Sequence, residues 1–191
     1  MPHALTLNPR TTALVMIDLQ HGIVSRPVAP YSGPQVVAQA RTLADALRAR
    51  GGTVVWVRAL VNEILALPAD TPMRKPDAPA APPQASELVP ETGAQDGDVF
   101  VAKRQWGAFY GTDLEQHLRR RHIDTIVLGG IATNFGVEST ARAAFDRGFK
   151  LVFVEDATSG LDETMHRFAF EKLFGIMGHV RSTQETLAAL A

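Results

Sequence analysis

Three residues have the types and neighbourhoods that catalysis requires: Asp18, Lys103 and Gly136. Asp18 closes the apolar run "TALVMID" (12–18), so its carboxyl stands at the mouth of a buried strand. Desolvation there raises a carboxylate's pKa, which is what an acid or base working near neutrality needs. The alternative is an aspartate that merely caps the following turn. Lys103 closes "DVFVAKR" (98–104), and its four-carbon stem can carry an ammonium to Asp18 from a non-adjacent strand. A lysine snorkelling to the surface is the competing account. Gly136 lies in "GGIATNFGVEST" (129–140), which reads as a strand, a glycine-punctuated turn and a helix. It offers no side chain, only a backbone N–H able to hold an anion or developing oxyanion. Glycine also serves tight turns by permitting positive φ.

Other polar residues gather at strand ends: Gln20 after the first strand, Arg58 and Asn62 after the second, Thr133 and Asn134 after the fourth. Trp106, Phe109 and Tyr110 follow Lys103 closely and fit either a pocket mouth or apolar packing. Of the histidines, His21 lies near the Asp18 end, where it can touch a ligand, and His166 is expected to be structural. His3, His117, His122 and His179 are scattered, and no H-x-x-x-H or D-x-H spacing suggests a metal site.

Composition narrows the classes. The chain has no cysteine, which removes disulfides, thiolate metal sites and thiol nucleophiles together. A net charge of -1 gives no electrostatic case for nucleic acid or an anionic membrane surface. No apolar run approaches the roughly 18 residues of a membrane span. The opening residues lack the basic, apolar and small-residue succession of a secretion signal, so a cytoplasmic location is expected. At 191 residues a single domain, 1–191, is expected.

These residues are positioned by alternating elements. Strands are predicted at 12–18, 53–59, 98–104, 124–130, 150–157 and 178–182, and helices at 34–52, 111–122, 136–148, 161–175 and 183–190. Thr112 is the expected cap of the 111–122 helix. Residues 60–97 hold seven prolines, Pro76 among them, too many for a regular element. Such a segment suits a lid, a binding loop or an oligomer contact. The predicted fold is α/β: a three-layer, Rossmann-like, doubly wound six-stranded parallel sheet, order 3-2-1-4-5-6, with helices on both faces. Ligands of such sheets bind beyond the carboxyl ends of the strands, where Asp18, Lys103 and the 129–140 turn all fall.

With those stretches assembled, the chain resembles the isochorismatase-like hydrolases of the cysteine hydrolase superfamily. The resemblance is carried by "TALVMIDLQHGI", by "VAKRQWGAFYGTDLEQHLRRRHIDTIVLGGIATNFGVESTARAAFDRG" and by "LVFVEDATSG". It spans nearly the whole chain and is weakest in 60–97. The family commonly uses an Asp–Lys–Cys triad to hydrolyse amides through a thioester-type intermediate. Aspartate and lysine carry over to Asp18 and Lys103, whereas the cysteine position falls on Gly136, so the covalent route does not. The resemblance also implies a cis peptide joining Ile131 and Ala132, aiming the Ala132 and Gly136 amides into the site. Gln20, Phe109, Thr133 and Asn134 are the further expected substrate contacts.

Isochorismatases proper cleave a vinyl ether, which needs a placed acid and room for water rather than a nucleophile, and some are similar in carrying glycine at this position. The resemblance thus implies a hydrolase with Asp18 as acid, oriented by Lys103, acting on a small anionic metabolite without cofactor or metal. A non-catalytic binding or assembly protein, and amide hydrolysis by directly activated water, are the alternatives. Homodimers or homotetramers are expected by the same resemblance. A neighbouring ammonium lowers an aspartate's pKa while burial raises it, and the two effects oppose one another at Asp18.

Overall fold

The computed structural model describes residues 5–73, 75 and 77–190; His3 and Pro76, named above, lie outside the described residues. Strands β1 (Thr12–Ile17), β2 (Thr53–Ala59), β3 (Val99–Lys103), β4 (Thr125–Ile131), β5 (Lys150–Ser159) and β6 (His179–Arg181) form one sheet. Its order is β3-β2-β1-β4-β5-β6 with every pairing parallel, the doubly wound arrangement expected. Each strand's two-residue period sorts its side chains between two cores. Ala13, Val15 and Ile17 face the layer of α3 (Leu114–Arg120) and α4 (Glu138–Asp146). Leu14 and Met16 face α2 (Gly33–Ala49), whose Val36, Val37, Ala40, Leu43 and Leu47 lie on one buried stripe.

Several elements depart from the sequence reading. The predicted 136–148 helix begins three residues sooner, as a wide π turn over Thr133–Val137 that leads into α4. The predicted 161–175 helix is α5 (Glu163–Phe168), a second π turn (Ala169–Phe174) and the short α6 (Gly175–Met177). Helix α3 begins at Leu114, later than expected; Thr112 Oγ1 accepts from the Leu114 amide at 3.3 Å. Another short helix, α1 (His21–Val24), follows β1, and α7 (Thr183–Ala189) closes the fold.

The proline-rich segment divides in two. Beyond residue 82 it packs down through 3-10 turns at Pro83–Ser86 and Pro90–Thr92, burying Ala85, Val89 and Thr92. Residues 61–73 instead stand over the carboxyl end of the sheet, with Leu65 and Leu67 exposed.

Candidate active site

Strand order reverses between β1 and β4, and a cleft of about 1710 Å³ opens at their carboxyl ends. The chain leaves β1 through Asp18, whose φ of 54° is the left-handed conformation that aspartate tolerates better than most residues. Lys103, at the end of β3, reaches across β2 so that Nζ donates to Asp18 Oδ2 at 2.8 Å. The same ammonium donates to the Gln105 carbonyl at 3.2 Å, leaving its third N–H without an acceptor among the described residues. Asp18 is 7% exposed and Lys103 2%, so the pair meets in a largely dry setting.

Burial dominates the electrostatics of Asp18. Desolvation pushes its pKa from 3.8 up to about 6, against the pull of the Lys103 charge and hydrogen bond and a smaller one from the Ala59 backbone. Its second oxygen, Oδ1, is buried with no hydrogen-bond partner. A carboxylate with one bare buried oxygen is poorly solvated, and protonation there relieves that cost.

The opposite wall is the turn after β4. Gly130 has a φ of 116°, and a Cβ on it would lie 2.2 Å from the Ile17 carbonyl oxygen, so only glycine lets β4 approach β1 this closely. The Ile131–Ala132 peptide is cis, as the resemblance implied. Phe135 and Val137 amides both donate to the Ala132 carbonyl, at 3.1 and 3.2 Å, closing the π turn. Ile131, Ala132 and Gly136 line the cleft. A Cβ on Gly136 would lie 3.3 Å from Asp18 Oδ2, so any side chain there would begin directly beside the carboxyl.

Four expected substrate contacts are not among the cleft-lining residues. Gln20 is fully buried: its amide donates to the Ala59 and Ala85 carbonyls at 3.0 and 2.8 Å and its oxygen accepts from the Ala59 amide at 2.7 Å. It ties the end of β1 to β2 and the Pro83–Ser86 turn. Phe109 is 5% exposed and packs in the core against Phe149, at 6.0 Å between ring centroids. Thr133 turns to His166, and Asn134 donates to the Met165 carbonyl at 3.1 Å, both away from the cleft toward α5.

Trp106 and Tyr110 do line the opening, as does His21. Phe135, which sequence reasoning passed over, lines it too and meets Trp106 edge-on at 5.0 Å. Its position immediately before Gly136 was the available signal. Arg26 also borders the cleft, with Nε donating to the Gly22 carbonyl at 3.0 Å. Arg104 is there as well, paired with Glu63 at 2.6 Å. Among the described residues no cluster of His, Asp and Glu converges as a metal site.

This arrangement can bind a small molecule between an aromatic wall and a buried ion pair, and can deliver or accept a proton at Asp18. Residues 12–185 match the Isochorismatase domain family. The chain is 47% identical over 190 residues to the uncharacterized isochorismatase family protein YecD of Escherichia coli O157:H7, covering 97% of this chain and 100% of that protein. It is 32% identical over 215 residues to ureidoacrylate amidohydrolase RutB of Methylobacterium radiotolerans, covering 97% and 83% respectively. An isochorismatase family protein of Burkholderia thailandensis superposes with a TM-score of 0.91 at 45% identity, covering 98% of both chains. The chain belongs to the isochorismatase family of hydrolases.

Proposed function

We propose that this hydrolase cleaves the vinyl ether of a small anionic metabolite, with Asp18 as the proton donor and no covalent intermediate. The observation that carries this reading is a buried carboxyl, one oxygen held by Lys103 and the other without a partner, in a cleft that offers no thiol. Burial raises the Asp18 pKa to about 6, toward the range in which a general acid works near neutrality.

The chemistry runs from the acid outward. Asp18 gives its proton to the terminal vinyl carbon, and the ether oxygen shares the resulting positive charge as an oxocarbenium ion. Water adds to the cationic carbon and loses a proton to the carboxylate. The hemiketal then separates into a ketone and an alcohol. The Asp18 carboxylate left by proton transfer stands beside the cation and stabilises it. Lys103 holds Oδ2, which leaves Oδ1 to carry the proton, and its third N–H is available to an anionic group of the substrate. Gly136 lets the turn close against Ile17 and Asp18 with no side chain between them.

Incubating pure protein with isochorismate tests this: multiple turnovers releasing pyruvate, with no covalent adduct by intact mass, are expected. The similarity to a ureidoacrylate amidohydrolase favours a second reading, amide hydrolysis by directly activated water. Turnover of a ureido amide in place of isochorismate selects it. Ligand binding without turnover of either selects a non-catalytic binder. We further propose a homodimer or homotetramer, the exposed Leu65, Leu67 and Tyr110 at the cleft rim being suited to a second copy; a one-chain mass in solution rejects it. We also propose a cytoplasmic location; among the described residues no helix is long and apolar enough to cross a membrane.

A further inference from the structure

His166 is a buried titratable residue that the proposed chemistry leaves unused. It lies in α5, 1% exposed, stacked on Phe170 at 4.5 Å between ring centroids and edge-on to Tyr31 at 6.4 Å. Nδ1 is 2.8 Å from Thr133 Oγ1, while Nε2 is buried with no partner. An unpaired buried ring nitrogen forfeits its hydration without a replacement bond. A phenyl ring would fill the same apolar space without that penalty, so the imidazole's distinguishing contribution is its bond to Thr133.

Thr133 is itself fully buried and directly follows Ala132. The next residue, Asn134, donates to the Met165 carbonyl at 3.1 Å. Helix α5 therefore grips two successive residues of the π turn, between cleft-lining Ala132 on one side and cleft-lining Phe135 and Gly136 on the other. We propose that His166 is a positioning residue: through Thr133 it fixes the rotation of the 132–137 turn and so holds Gly136 against Asp18. Burial first, then the adjacent Arg167 charge, holds its pKa down to about 4, with Glu163 opposing. The imidazole is thus neutral across the range in which Asp18 changes charge.

The inference concerns the site assigned above, and its test needs no turnover. Asp18 is followed by carbon-13 NMR through a pH titration in the wild type and in His166→Phe, His166→Asn and Thr133→Val. Phenylalanine keeps the stacked ring without nitrogen, and asparagine restores a polar atom at the place of Nδ1. If the turn loosens, water reaches Asp18 and desolvation is relieved. His166→Phe and Thr133→Val are each expected to lower the Asp18 midpoint by at least about half a pH unit. Their combination should add nothing further, and His166→Asn should match the wild type within titration error. An unchanged midpoint in either folded single variant overturns the proposal, as do fully additive shifts. If His166→Phe does not fold, Thr133→Val decides alone, being nearly isosteric with threonine. Inertness toward isochorismate leaves this readout intact, so failure of the proposed activity and failure of this inference are distinguishable.

Discussion

Ile17 stands where a side chain at Gly136 would begin: a Cβ placed on Gly136 would lie 2.7 Å from Ile17 Cγ2. That methyl belongs to a β-branched, fully buried residue of β1, so rotation away from the contact is restricted. Absence of the thiol and shape of the core are therefore linked. Gly136→Ala is expected to lose about 1–3 kcal/mol of stability by overpacking. Ile17→Ala should lose about 2–5 kcal/mol by leaving a cavity. Denaturant unfolding of the double variant should show a loss smaller than the sum of the two. Strict additivity would mean that the residues do not compete for space.

The same contact bears on restoring the family's nucleophile. Gly136→Cys alone should yield no covalent adduct with an amide substrate, because the new side chain must first displace Ile17. Intact mass after mixing with a ureido amide reads this directly. Prompt, stoichiometric acylation of the single variant would show that the turn accepts a thiol without adjustment.

Stability should depend on pH through Asp18. Its folded pKa of about 6 exceeds the ordinary 3.8, so the folded state retains a proton that the unfolded state has lost. The contribution is most favourable below pH 4 and is lost as pH rises to about 6, a total on the order of 3 kcal/mol. Asp18→Asn should lack this decline in unfolding measurements between pH 4 and 7. Parallel pH curves for wild type and variant would contradict the assignment.

Lys103 lowers the Asp18 pKa by its charge and hydrogen bond without overcoming burial. Lys103→Met should accordingly raise the Asp18 titration midpoint by about 1–3 units. No rise would mean that the ammonium and carboxyl do not meet in solution.

Ligand entry should be visible in tryptophan fluorescence. The chain has two tryptophans. Trp56 is fully buried, its Nε1 donating to Asp98 Oδ2 at 2.7 Å, whereas Trp106 is 49% exposed at the cleft. Titration with isochorismate should change the emission, and Trp106→Phe should remove the change. A signal that survives in Trp106→Phe would place the ligand elsewhere.

The sheet was legible because burial on both faces forces near-continuous apolar runs, as in "TALVMI" and "TVVWV". Asp18, Lys103 and Gly136 were legible because each closes or follows such a run. The expected contacts that the structure places away from the cleft lining were not legible, each for its own reason. Thr133 and Asn134 point toward α5 because the turn is a π turn, and nothing in "ATNFG" distinguishes that winding from an α-helical start. In "QWGAFYG" nothing local tells which of three aromatics turns inward. The fold of that turn sends Phe109 inward and leaves Trp106 and Tyr110 at the opening. Gln20 is polar at a strand end, yet its carboxamide satisfies the backbone of segments 39 and 65 residues away, pairings invisible in local sequence.

The most direct measurement is the pH dependence of pyruvate release from isochorismate by the wild type and by Asp18→Asn. The wild-type rate should fall as pH rises through about 6, because the acid is then progressively deprotonated. Asp18→Asn should be slower by about 10²–10⁴-fold at and below pH 6, the gap narrowing as pH rises further. Equal rates for the two proteins, or a wild-type rate that climbs through pH 6, would contradict the account.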